Sequence, residues 1–130
     1  MQTRRIIGYA ALGFAALYGA VASAFAMDYL ASNVTASAPA GIYIRDDGGD
    51  FATFCLSDAQ AQTYGTVYCS PSNPEGRRIL KPLIETHDDG LWVQSTHPNG
   101  LDSRLLGLIP LEQVRQHWFL LLEYKTWSRL

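Results

Sequence analysis

Hydrophobic and polar positions divide the chain at residue 27. Residues 6–27 run for 22 positions without a charge. As a helix rising ~1.5 Å per residue they span about 33 Å, enough to cross a bilayer core. Beyond them the pattern changes to short apolar runs punctuated by Gly, Pro, Asn and Asp, the rhythm of strands and turns. Gly41–Arg45 and residues 51–56 are β-rich, and Asp46-Asp47-Gly48-Gly49 between them predicts a hairpin. Ser57 caps a short helix over Asp58–Tyr64 that stops at Gly65. Residues 64–69 read as extended and 70–76 as loop. Residues 77–85, 91–95 and 118–124 read as strands, with turns at 86–90 and 97–100. Residues 102–110 are irregular or extended, and 111–115 make one helical turn. The fold class that follows is mostly β: a small β domain over residues 28–130 behind one N-terminal transmembrane helix over residues 1–27.

Charge orients that helix. Arg4 and Arg5 precede the apolar run and Asp28 is the next charge, so the positive-inside rule leaves the N-terminus in the cytoplasm and exports the rest. A cleaved signal peptide competes, because Ala22-Ser23-Ala24 and Ala24-Phe25-Ala26 fit the small-x-small cleavage pattern. The length of the apolar run favours a retained anchor. The exported part holds eight Lys/Arg (ten less Arg4 and Arg5) against twelve Asp/Glu, a net charge of −4. It has no basic stripe of the kind that nucleic acid requires. Cys55 and Cys69 both lie there, where disulfides persist, and two cysteines without a nearby histidine fall short of a zinc site. They read as a structural disulfide.

Candidate chemistry gathers at two places. Pro39 forbids a helix through Asn33-Val34-Thr35-Ala36-Ser37-Ala38-Pro39-Ala40-Gly41-Ile42-Tyr43. An extended backbone there sets Asn33, Thr35, Ser37, Pro39, Gly41 and Tyr43 on one face. Two hydroxyls two residues apart suit a nucleophile and a helper; a polar linker is the plain alternative. Lys81 is the second place. Whichever face of its strand is buried, apolar neighbours surround it: Ile79 and Leu83 on one side, Leu80, Pro82 and Ile84 on the other. Pro82 costs the sheet a hydrogen bond and marks an edge or bulge. A lysine buried among apolar groups loses its proton more readily and becomes a competent general base. A lysine snorkelling to solvent is the ordinary alternative. Spacing also leaves open a Ser37–His97–Asp102 triad, and His87 with Asp88 and Asp89 as a metal site, although polar turns explain both histidines more simply.

Taken together, the Asn33-x-Thr35-x-Ser37-x-Pro39-x-Gly41-x-Tyr43 pattern, the cysteine pair, the Ile79-Leu80-Lys81 strand and Leu101-Asp102-Ser103-Arg104-Leu105-Leu106-Gly107 resemble the type I signal peptidases. They look closest to the conjugative-transfer branch, whose members mature plasmid-encoded pilins. The resemblance spans residues 33–110 and includes the membrane segment in front.

It implies a signal-peptidase-like β domain acting as a serine endopeptidase at the outer, periplasmic face of the inner membrane. Ser37 would be the nucleophile and Lys81 the general base of a dyad. The Ser37 N–H and the Thr35 hydroxyl would form the oxyanion hole, and Asp102 and Arg104 a structural ion pair beside the site. The implied partners are the membrane and a preprotein or prepilin substrate, with no nucleic acid and no metal or organic cofactor. Release by water would hydrolyse the substrate, and release by its own amine would cyclise it. Three features depart from the family pattern. Pro82 and the His87-Asp88-Asp89-Gly90 turn replace the usual sequence after the lysine. Gly100 stands where relatives carry a lysine-orienting serine. The segment between the lysine strand and Asp102 is short. These departures sustain a second expectation, a non-catalytic exported adaptor of a secretion or conjugation apparatus.

Overall fold

A computed structural model describes residues 2–33, 38–95 and 97–124. Helix α1, Gln2–Ala26, is long and apolar enough to cross a membrane and none of its span is buried against the rest of the chain. It ends in a hydrogen-bonded cap, not a loose tether. Tyr29 N–H donates to Ala24 O at 2.8 Å and Asp28 N–H to Phe25 O at 3.2 Å, while Asp28 takes a left-handed backbone with φ 60°. This is a Schellman arrangement with Asp28 in the place usually held by glycine. Strand β1, Leu30–Asn33, follows immediately, so the helix hands the chain directly to the sheet.

The remaining elements are β2 (Gly41–Arg45), β3 (Phe51–Phe54), α2 (Asp58–Tyr64), β4 (Ile79–His87), β5 (Gly90–Val93), α3 (Ser103–Leu106), β6 (Ile109–Pro110), a 3-10 turn (Leu111–Gln113) and β7 (Val114–Glu123). Among the described residues the strands form one antiparallel sheet in the order β1-β2-β7-β3-β4-β5-β6. The sheet curls. Ala31, Ser32 and Asn33 of β1 face the same cavity as Thr53 of β3 and Leu80 of β4, and the Tyr43 ring of β2 meets Phe51 of β3 edge-on at 5.1 Å. The core fills the concave side with Ala52, Phe54, Leu56, Ala61, Ile79, Leu91, Val93 and Ile109.

The hairpin expected over residues 41–56 does not form. β2 and β3 each pair with β7, which lies between them. Asp46 and Gly49 still make a tight turn, Gly49 N–H donating to Asp46 O at 2.9 Å. That turn is used to step over β7. A Cβ on Gly49 would lie 2.1 Å from the Trp118 carbonyl oxygen, so the glycine that reads locally as hairpin chemistry serves a crossing instead. The α2 helix agrees with expectation to the residue. Ser57 Oγ accepts from Gln60 N–H and Gln60 Oε1 accepts from Ser57 N–H, a complete capping box.

Cys55 and Cys69 are joined, with Cα atoms 4.9 Å apart. The link ties the end of β3 to the segment after α2, where Cys69 N–H donates to Arg77 O just ahead of β4. Closing a loop of this length contributes about 3 kcal/mol on the chain-entropy account. Cys55→Ser with Cys69→Ser is therefore expected to lower unfolding stability by about 2–4 kcal/mol in denaturant titration. A matching loss should follow in reduced wild-type protein.

Candidate functional site

Alternation along β4 decides the orientation of Lys81. Ile79 and Lys81 face inward, and Lys81 is only 2% exposed. Its cross-strand partner on β3 is the fully buried Ala52. Burial pushes the lysine pKa below its ordinary value, with the Asp102 carboxylate opposing that shift and the Arg104 guanidinium adding to it. The residue lines a cavity of about 400 Å³ bordered by Asn33, Tyr68, Leu80, His97 and Gly100. Among the described residues no hydrogen bond to its amine is found.

Pro82 marks the junction at which β4 acquires its second neighbour. It accepts a bond from Gln94 N–H at 3.1 Å and has no N–H to return. One residue on, Leu83 N–H turns the other way and donates to Asp50 O at 2.7 Å. Ladder alternation then directs Leu80 N–H and C=O away from β3, into the cavity, past the end of β5. Among the described residues no strand pairs with this short edge beside the buried lysine.

The Asp-Ser-Arg box closes the opposite wall. Asp102 is fully buried and accepts from Ser95 N–H at 2.9 Å, from Arg104 N–H at 3.0 Å and from Arg104 Nη2 at 2.7 Å. Ser103 Oγ accepts from Val93 N–H at 2.9 Å. The two side chains thus satisfy alternate N–H groups of the β5 segment where β6 no longer pairs with it. Arg104 also donates to the carbonyls of Ser95 and His97, which pins the turn over residues 97–100. Burial raises the Asp102 pKa, but hydrogen bonds from the Arg104 side chain and from Ser95 and Arg104 N–H outweigh it and hold the carboxyl below its ordinary range. The expected structural ion pair is present.

Neither histidine alternative is assembled among the described residues. The Asp102 oxygens are engaged by Arg104 and Ser95, and His97 Nδ1 accepts from Asn99 N–H at 3.2 Å, so that nitrogen is not a donor to a carboxylate. His87 pairs with Glu85 at 3.0 Å on the exposed end of β4. Among the described residues no three His, Cys, Asp or Glu side chains gather as metal ligands.

Ser37 and Thr35 lie outside the described residues. The flanking residues are held tightly. Asn33 Nδ2 donates to Ala38 O at 3.0 Å and to Pro39 O at 3.3 Å, and Tyr43 Oη donates to Pro39 O at 2.6 Å. Burial, with the Glu123 carboxylate adding to it, pushes the Tyr43 pKa up to about 12, so this donor keeps its proton throughout the physiological range. Asn33 thereby grips the chain on both sides of residues 34–37 while lining the Lys81 cavity itself.

Ser95 is the site residue that sequence reading misses. The Gln94–Pro82 bond carries the β5 register one step past its last pair, Val93 with Leu83, and sets Ser95 opposite Lys81 on the inner face. It is 3% exposed, and its hydroxyl accepts from His97 N–H at 3.1 Å, which leaves its own proton to donate. A Cβ on Gly100 would sit 3.0 Å from Ser95 Cβ and 3.4 Å from Ser95 Oγ. The serine from β5 therefore fills the room that a side chain at Gly100 would need. No motif marks it, because its place depends on a cross-strand register.

Comparison with protein-family models, curated proteins and solved structures finds no match to this chain.

Removing the Asp102 carboxylate leaves Arg104 and two N–H groups without their acceptor. Asp102→Ala is expected to cost about 1–3 kcal/mol, the usual penalty for leaving a buried donor unpaired, here the Ser95 N–H. Asp102→Asn, which keeps one acceptor oxygen, should cost less. Because the folded carboxyl lies below its ordinary 3.8, its contribution is present above that value and fades as pH falls through the folded pKa. Acid titration of unfolding in wild type against Asp102→Asn measures it.

Proposed function

We propose that the chain is a membrane-anchored serine endopeptidase of the signal-peptidase type, with Ser37 as nucleophile and Lys81 as general base. The observation that carries the reading is the burial of Lys81 on an apolar strand face, with its pKa lowered, beside a cavity that Asn33 also lines. Asn33 and Ala38 are the described residues flanking Ser37 and Thr35, and they are bonded to each other. α1 supplies the anchor, with the β domain on the outer face of the inner membrane.

Neutral Lys81 takes the Ser37 hydroxyl proton as the serine oxygen bonds to the scissile carbonyl carbon. The oxyanion is received by Ser37 N–H and the Thr35 hydroxyl. When the tetrahedral adduct collapses the C–N bond breaks, and the lysine returns its proton to the leaving amine. Water then attacks the acyl-enzyme with Lys81 again as base; attack by the substrate's own amine gives a cyclic product. The open backbone of Leu80 suits a preprotein segment added as an extended strand. The small residues expected before the cut follow from the family resemblance.

Ser37→Ala and Lys81→Met should each abolish cleavage of a small-x-small preprotein, and Thr35→Ala should lower kcat by about 10²–10³. The rate should climb with pH through a lysine pKa below 10.5, the ordinary value. Stability gives an independent check. A buried lysine with a lowered folded pKa binds fewer protons folded than unfolded between that pKa and 10.5, so its destabilising effect is relieved as pH rises through this window. Lys81→Met should remove that rise and leave the protein at least as stable at pH 7. Retained cleavage by Lys81→Met would discard the dyad.

A further inference from the structure

A second group of cations lies at the other end of the curled sheet, where α1 stops. Arg45 from the end of β2, Arg78 just before β4 and Arg115 on β7 line one pocket of about 190 Å³ together with Asp28, Gln116 and Trp118. Trp118 is 3% exposed, and its indole N–H is committed to Thr53 Oγ1 at 3.0 Å, so it offers an apolar wall. Asp28 is the one carboxylate lining the pocket among the described residues. Its Oδ2 stands 3.9 Å from Arg78 Nη1, and both side chains are exposed, which makes for a weak pair. Arg115 donates one nitrogen to Glu112 O at 3.0 Å, and Arg45 lies over the Tyr29 ring at 5.7 Å. Among the described residues two positive charges of the pocket therefore remain without a counter-charge lining it, in a domain whose net charge is −4. Three of its eight cationic residues converge where the overall sign is reversed.

Position identifies the anion. Asp28 is the cap residue of α1, and Arg45 N–H donates to Tyr29 O at 2.9 Å, so the pocket is fixed to the end of the membrane span by hydrogen bonds. A helix of 25 residues is about 37 Å long and more than fills a hydrocarbon core of about 30 Å. Its last turn and the residues just beyond it then stand at the depth of lipid phosphates. Tyr29, half exposed, has the amphipathic ring favoured at that depth. Guanidinium forks match phosphate oxygens in pairs.

We propose that Arg45, Arg78 and Arg115 form a binding site for the phosphate of an anionic lipid headgroup at the membrane exit of α1. The site rests on α1 lying in a bilayer and is independent of the peptidase reading.

Full-length protein in a neutral detergent, titrated with phosphatidylglycerol and followed by native mass spectrometry and by thermal unfolding, tests it. Wild type should retain phosphatidylglycerol and gain thermal stability. Phosphatidylcholine and inorganic phosphate at the same concentration should produce little of either effect. Arg115→Gln should weaken lipid binding roughly fivefold, the equivalent of about 1 kcal/mol per basic residue near an anionic surface. Arg45→Gln with Arg78→Gln should weaken it further, and 0.5 M salt should suppress it. Equal retention of phosphatidylcholine, or undiminished binding by a folded Arg115→Gln protein, overturns the site. An equal gain from inorganic phosphate assigns it to free phosphate and overturns the lipid.

Discussion

The buried carboxylate of Asp102 holds the working end of this fold together. Its two oxygens terminate β5, cap α3 and receive the Arg104 fork. Arg104 in turn fixes the carbonyls of Ser95 and His97. The turn carrying His97, Asn99 and Gly100, which borders the Lys81 cavity, is held by those bonds. An apolar residue at 102 would leave the β5 N–H of Ser95 unpaired in the interior, at a cost of ~1–3 kcal/mol for that group alone. The carboxylate also acts at a distance, since it favours the protonated form of Lys81 while Arg104 disfavours it. Pairing the acid with an arginine offsets part of its field at the lysine, and burial remains the largest influence. The Asp-Ser-Arg box is thus a sheet terminator whose charge is offset locally, and burial still lowers the pKa of Lys81 near an aspartate.

The same logic explains why three hydrogen bonds converge on the carbonyls of Ala38 and Pro39. A proline-containing segment cannot join the ladder fully, and its carbonyls would be unsatisfied inside a curled sheet. Asn33 and Tyr43 supply the donors from the strands on either side. The stretch read as either linker or catalytic platform is therefore clamped at its described ends. The single extended run expected over residues 33–43 does not form, because β1 and β2 pair antiparallel with Asn33 opposite Gly41, and the chain reverses between them.

Local signals were legible, and long-range ones were not. The Ser57 cap of α2 depends on neighbours a few residues away and the Cys55–Cys69 link closes a short loop, and each appears as the sequence implies; which face of β4 is buried was left open, and the structure turns Lys81 inward. The hairpin failed because Asp46 to Gly49 specifies a turn but not the strand that pairs across it; β7, more than 60 residues later, occupies that place. Ser95 was invisible for a related reason. Its alignment with Lys81 follows from extending the β5 register through a Gln94–Pro82 bond between distant residues. The arginine pocket gathers residues from positions 45, 78 and 115, which no linear motif connects.

Geometry links the two ends of the molecule. Asp28 borders both the arginine pocket and the cavity along β1, Asn33 borders that cavity and the one holding Lys81, and Arg78 borders all three. Neighbouring cavities beside β1 thus share lining residues from the end of α1 to the Lys81 cavity. β1 has four residues, and at about 3.3 Å per residue its length is roughly 13 Å. A polypeptide leaving the bilayer beside α1 and running extended along these cavities would reach Lys81 after about four residues. The Schellman cap makes this distance a fixed property of the fold, because the helix end cannot swing relative to β1 without losing the bonds to Ala24 and Phe25. On the proposed function, such a ruler would select cleavage points by their distance from the membrane surface as well as by the size of the residues before the cut.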